Sequence, residues 1–196
     1  DPVHFAERHA LFVIISLGEV VVAVGTSATG GELTVVVGLG LVAAVAVACM
    51  FWWTYFSYVP AAVERQLRDA RGGARGTVAR NVFTFGHFPI VFGLVLFAVA
   101  AKHVVAHPDA PLGPGDLAFL AGGVAFFVGG LLNLQWQAIH RLASERVAAI
   151  VVVAAMCAIL GPVIAGGWLL LLTAVVIGAM QAISVQRLAS RRAITR

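Results

Sequence analysis

Charge is what this chain most lacks. Only 11% of its 196 residues are Asp, Glu, Lys or Arg, while 61% are hydrophobic. A soluble domain averages about 25% charged and about 45–50% apolar. A surface so poor in charge does not stay dissolved, which excludes a water-soluble architecture and makes lipid the fitting solvent. Cysteine is equally scarce. Cys49 and Cys157 both fall inside apolar runs, which excludes a disulfide framework or a zinc-ligand spacing and reads each as a small buried hydrophobe. There is no Ser–Lys or paired-Asp constellation and no zinc signature on an apolar run, so the expectation is a non-enzyme with no catalytic residue, cofactor or metal. The opening Asp1-Pro2-Val3-His4 has no basic segment or small-residue cleavage site and is no signal peptide. We expect a piece of a longer chain.

Long apolar runs are what the chain has. A bilayer core takes about 20 apolar residues per helix. Such runs predict helices over about 7–29, 33–59, 81–104, 117–139, 147–163 and 168–186. They are too long and too evenly apolar for barrel strands. Pro108, Pro111 and Pro114 break the chain between the third and fourth, because proline has no N–H to give a helix. Gly161-Pro162 and Gly166-Gly167 divide the last apolar stretch in two. The predicted fold is an all-α membrane protein, one polytopic bundle of about six transmembrane helices over 1–196.

Six crossings put every arginine on one side, including Arg65, Arg68, Arg71, Arg75 and Arg80 of the 60–80 segment, and leave Lys102 alone on the other. The positive-inside rule makes the first side cytoplasmic, with both chain ends there, in a multi-pass plasma-membrane protein. The basic charge reads as a topology signal with anionic lipid contact. Nucleic acid is not an expected partner, since no stacking aromatics accompany the arginines. Trp52, Trp53, Tyr55, Tyr58 and Trp136 fit an interfacial aromatic belt. Glycines recur seven apart at Gly18/Gly25, Gly86/Gly93, Gly122/Gly129 and Gly123/Gly130, which predicts close helix contacts along small faces.

Glu19 stands out chemically. It lies 11 residues beyond Arg8, about 16 Å along a helix axis and near the midplane. An ionisable group there costs about 2.5–3.5 kcal/mol to insert, so it is expected to face protein or water. Arg8, Ile15, Glu19 and Thr26 share one stripe. Two readings stand side by side: a proton or cation site on a pathway, or a neutral hydrogen-bonded carboxyl that locks packing. A second polar layer is expected two turns inside the cytoplasmic surface, from Glu7, Arg8, Tyr55, His87, Asn133, Gln135 and Gln181. His87 brings an acid–base side chain to this layer, and Pro89 frees a carbonyl one turn earlier. His103-x-x-x-His107 with Asp109 reads as an outer-loop cluster rather than a metal pair, because Pro108 ends the helix. Gly38-x-Gly40-x-x-Ala43 mimics a dinucleotide fingerprint but follows no strand.

Three segments, in this order, carry a family likeness. They are His4-Phe5-Ala6-Glu7-Arg8 running on to Leu17-Gly18-Glu19, then Trp52-Trp53-Thr54-Tyr55-Phe56, then Gly86-His87-Phe88-Pro89. Together with His107-Pro108 before Leu112 they resemble the low temperature requirement A (LtrA) family of bacterial membrane proteins, in the C-terminal half of a chain about twice as long. The resemblance implies a polytopic plasma-membrane protein named for growth in the cold, with Glu7, Arg8, Glu19, Trp53, Tyr55 and His87 as motif positions. Ser57 and Lys102 depart from the acidic residues the family pattern leads us to expect there.

The functional expectation is a transporter or channel for a small solute or ion, with Glu19 as binding or coupling site and an Arg8–His87 layer as cytoplasmic gate. The alternative is a non-transporting membrane factor acting through lipid and helix contacts. Membrane lipids, a small solute or ion and further copies of the chain are the partners these readings allow.

Overall fold

A computed structural model describes residues 2–29, 32–57, 59–70, 76–77 and 80–194. The apolar runs form α1 (Pro2–Ala28), α2 (Val35–Phe56), α4 (Gly86–Ala106), α5 (Pro114–Ile139), α6 (Ser144–Ile159) and α7 (Gly166–Ile194). Between α2 and α4 lies α3 (Val59–Asp69), and a π-helical turn, Arg80–Phe85, leads into α4. No strand is present among the described residues. The chain is an all-α membrane bundle.

Local chemistry sets the helix ends. Thr34 caps α2, its hydroxyl accepting from the Val37 N–H at 3.3 Å. Pro114 opens α5 at a position where its missing N–H costs nothing. His140, at φ 49°, closes α5 in the left-handed region and donates its N–H to the Trp136 carbonyl. Pro89 lies inside α4, one turn after the π-helical residues. Its lost N–H falls where the wider turn re-routes the backbone bonds.

Five helices are long and apolar enough to cross a membrane: those over Glu7–Ala28, Val35–Phe56, Arg80–Ala106, Pro114–Ala138 and Gly166–Arg187. The sixth apolar helix, α6, has only 16 residues, a rise of about 24 Å. It packs along α5 in the opposite direction. At its start Arg146 bonds Gln135 near the end of α5, and at its foot Gly161 packs on Leu117 near the start of α5. α6 is therefore antiparallel to α5.

Two ends result. Described arginines gather at one, with α3 and the α5–α6 turn. At the other, the α6–α7 turn hangs on the proline loop, Gly166 N–H bonding Ala110 O at 2.8 Å and Gly167 N–H bonding Pro108 O at 3.0 Å. Ser27 ties the end of α1 to the end of α4 by a 2.8 Å bond to Lys102 O. The core fills the space between, with Phe51, Phe97 and Phe127 clustered at ring separations of 5.3 and 4.2 Å.

The tightest contact is α4 on α5. A Cβ on Gly93 would lie 2.4 Å from Phe127 N, and one on Gly123 would lie 2.8 Å from Phe97 N. Gly86 and Gly130 likewise sit against Leu134 and Ile90. The expected pairs Gly86/Gly93 and Gly123/Gly130 thus serve close packing. Gly18, Gly25 and Gly129 meet nothing within 4 Å.

Three expectations need correction. The 60–80 segment is not merely a polar loop, because Val59–Asp69 is a helix with Glu64 and Arg68 paired one turn apart; Arg71 and Arg75 lie outside the described residues. Cys49 is exposed on the bundle surface, whereas Cys157 is buried. Tyr55 is no belt residue: it is 1% exposed, while Trp52, Trp53 and Trp136 stand out on the surface. Tyr58 lies outside the described residues.

Candidate functional site

The sequence placed Glu19 in a sheltered interior, and the structure does not. α1 packs through Val13, Leu17, Val20, Val24 and Ala28, all buried. Glu19 points roughly 140° away from that stripe and is exposed on the bundle surface. Arg8, Ile15 and Thr26 share its outward face, as their spacing required. Arg8 lines a shallow surface groove with Leu11, Phe12 and Ile15. Glu7 is exposed and bonded to His4 at 3.2 Å. The expected Arg8–His87 gate is not assembled, since Arg8 faces outward and His87 inward.

His87 instead meets Tyr55. The imidazole is 5% exposed and lies at the start of α4. Its Nδ1 is 3.0 Å from the Val82 carbonyl of the π-helical turn, and its Nε2 is 2.8 Å from the Tyr55 hydroxyl. A carbonyl only accepts, so Nδ1 carries a proton toward Val82 O, and in the neutral tautomer this selects, Nε2 accepts from the Tyr55 hydroxyl. The His9 ring stands 5.3 Å from that of His87, a neighbour that the motif reading passed over. Tyr55→Phe is expected to lower stability by about 0.6–1.7 kcal/mol, the range for buried hydrogen bonds between membrane helices. Melting of the purified protein in detergent measures this. The exposed change Trp53→Phe serves as control, and equal melting of the two variants would deny the bond any weight.

The remaining polar residues gather at the arginine-rich end. A cavity of about 610 Å³ opens there between α3, α5, α6 and α7. Arg146, in the first turn of α6, is 5% exposed and donates from Nη1 to Gln135 Oε1 at 3.0 Å. Glu145 is held on both oxygens: Ser184 donates to Oε1 at 3.1 Å, and the Arg187 guanidinium binds Oε2. Arg187 also donates to the Ser144 hydroxyl at 2.9 Å. Gln181 faces the same space and stands 3.0 Å from the Thr54 hydroxyl. Arg65 and Gln66 enter from α3, Arg141 from the α5–α6 turn.

Two of the three expected amides are therefore brought together. Asn133 is not with them. It is exposed on the other side of α5 and accepts from Gln137 at 3.3 Å. Glu145, Arg146 and Arg187 were missed as site residues, having been read as loop charges or not at all. Their signal was local: Ser144-Glu145 directly before an unbroken apolar run marks a helix start, which turns the following arginine into a helical residue with an inward face.

At the opposite end, His103 pairs with Asp116 across the proline loop rather than with His107. Among the described residues no three His, Cys, Asp or Glu side chains converge as a metal would require.

The family described as bacterial low temperature requirement A protein (LtrA) matches residues 1–182 of this chain. Over 131 residues the chain is 34% identical to an uncharacterized protein of Rhizobium meliloti (strain 1021). That alignment covers 66% of this chain but 31% of the relative, which is much the longer protein. No solved structure matches the chain.

Proposed function

The chain belongs to the bacterial low temperature requirement A family, and we propose that this multi-pass membrane protein works in the plasma membrane as part of a transporter or channel that moves a small solute without transforming it. One observation carries the reading: the cavity of about 610 Å³ at the arginine-rich end, walled by four helices and lined by Gln135, Arg146 and Gln181 among others. Small-molecule sites have this size and this mix of apolar wall with a few convergent polar groups. The positive-inside rule makes that end cytoplasmic, so the cavity serves as the inner vestibule. α3, with its paired charges, lies beside the mouth and suits the headgroup layer.

The test is osmotic. Proteoliposomes are exposed to gradients of potassium chloride, potassium phosphate, glycerol and an amino acid, and their shrinkage and recovery are followed by light scattering. At least one solute is expected to cross faster than in protein-free vesicles, and Gln135→Trp, which fills the cavity, is expected to slow it. No protein-dependent flux for any solute would sink the transport reading.

A second reading is a non-transporting factor that acts on the membrane through lipid and helix contacts and supports growth in the cold. The outward face of α1 favours it, since a Cβ on Gly18 or Gly25 would meet nothing within 4 Å and Glu19 is exposed there. Complementation of cold growth by the flux-dead Gln135→Trp variant would select this reading over the first.

A further inference from the structure

The cavity is lined by four arginines, Arg65, Arg141, Arg146 and Arg187, and by one carboxylate, Glu145. Both oxygens of that carboxylate are already engaged, one by Ser184 and one by Arg187. The lining therefore carries a clear excess of positive charge. Arginines at a cytoplasmic end are ordinarily explained by membrane topology alone. That explanation asks only that they lie on the correct side. It gives no reason for Arg146 to be 5% exposed beside α5, since withdrawing a guanidinium from water carries a desolvation penalty.

The backbone points the same way. Arg146 lies in the first turn of α6, whose N-cap Ala143 provides no side-chain cap. Ala143, Glu145 and Arg146 all line the cavity, so the positive end of the α6 dipole is in its wall. Helix N-terminus and guanidinium fork together suit a tetrahedral or planar oxyanion. Part of the remaining wall is apolar: Ala62, Leu134, Ala138, Leu142 and Val185. A bare ion would leave them uncovered.

We propose that this cavity is an oxyanion site, taking the phosphate group of a small amphiphilic solute or of a lipid headgroup, with Arg146 as its buried anchor and Arg65, Arg141 and Arg187 around the mouth. The site deepens the transport reading by naming the class of solute, but binding at equilibrium needs no flux. Glu145 has a definite part in it: it holds Arg187 back from the ligand and weakens the positive field of the cavity.

The experiment is a titration of the detergent-purified full chain with sodium phosphate against sodium chloride at equal ionic strength, read as the shift in melting temperature. Phosphate is expected to stabilise and chloride is not. Arg146→Gln is expected to weaken phosphate binding about tenfold, the value of one charge-assisted hydrogen bond. Because a change at a buried position can damage folding, Arg141→Gln at the exposed mouth provides a second arm and is expected to weaken binding several-fold with unchanged melting in chloride. Glu145→Gln is expected to tighten it, which a purely structural ion pair would not do. The titration is then repeated in nanodiscs of phosphatidylcholine alone and with phosphatidylglycerol. Loss of the phosphate effect only with phosphatidylglycerol assigns the site to lipid headgroups, and its persistence in both assigns it to a soluble solute. Equal responses to phosphate and chloride, or phosphate binding indifferent to both Arg141→Gln and Glu145→Gln, would overturn the proposal. Phosphate binding without flux in the osmotic assay would retain this site and discard transport.

Discussion

Gly93→Ala is expected to destabilise the bundle severely. The added methyl would lie 2.4 Å from Phe127 N and 2.7 Å from Gly123 O. Both are backbone atoms of α5, so no rotamer change relieves the clash. The only relief is to separate α4 from α5. Separation also loosens Gly123 against Phe97 and Gly130 against Ile90, because these contacts lie along the same helix pair. Overpacking typically costs about 1–3 kcal/mol, and here the upper end or more is expected, since the main chain itself must move. In lipid no hydrophobic force between helices offsets the loss; close packing is what holds them. Size-exclusion chromatography after graded heating should show the variant aggregated where the parent is monodisperse. Gly18→Ala should match the parent, because nothing lies within 4 Å of its Cβ. Equal melting of Gly93→Ala and Gly18→Ala would mean that α4 and α5 do not approach as described.

That the apolar runs are helices was legible because a bilayer enforces it, though five of them rather than six are long and apolar enough to cross. Apolar runs separated by prolines, by glycine pairs and by arginines leave few alternatives, and most observed ends lie within five residues of the predicted ones, the last helix alone running eight residues further, to Ile194. α3 was harder to see. Eleven residues with Glu64, Arg65 and Arg68 among apolar neighbours carry no long run, and only their helical alternation distinguishes them from a loop. The glycine spacing was legible as packing, but not which spacing was in use. Gly122/Gly129 and Gly123/Gly130 are offset by one residue, and only the position of α4 selects the second pair.

Facing was the least legible property, for a physical reason. In water, a polar stripe faces out and an apolar stripe faces in. In a bilayer the outside is as apolar as leucine, so composition loses that contrast. The stripe Val13, Leu17, Val20 and Val24 and the stripe bearing Glu19 are both compatible with either side. Polar side chains were expected inside on cost alone. The expectation held for His87, Tyr55, Gln135 and Gln181, which found partners across helices. It failed for Glu19 and Asn133.

Glu19→Leu should therefore change insertion greatly and the bundle little. Glu19 lies just past the middle of the 22-residue stretch Glu7–Ala28, where an acidic residue costs about 2.5–3.5 kcal/mol and a leucine contributes slightly favourably. The exchange gains about 3 kcal/mol for insertion of α1, on the order of a hundredfold in the partition between inserted and translocated forms. Glycosylation mapping of the isolated α1 segment in microsomes reads that ratio directly. In the purified protein the substitution removes no described hydrogen bond or ion pair of the bundle, so melting should stay level or rise. Flux through the cavity should also survive, since Glu19 does not line it. The pairing of results is what decides. Lost flux with intact melting would restore Glu19 as a coupling acid, reached by solute along the outer face of α1. Lost melting would mean that the carboxyl is bonded inside the folded protein, and that α1 is turned by roughly half a revolution from the orientation described.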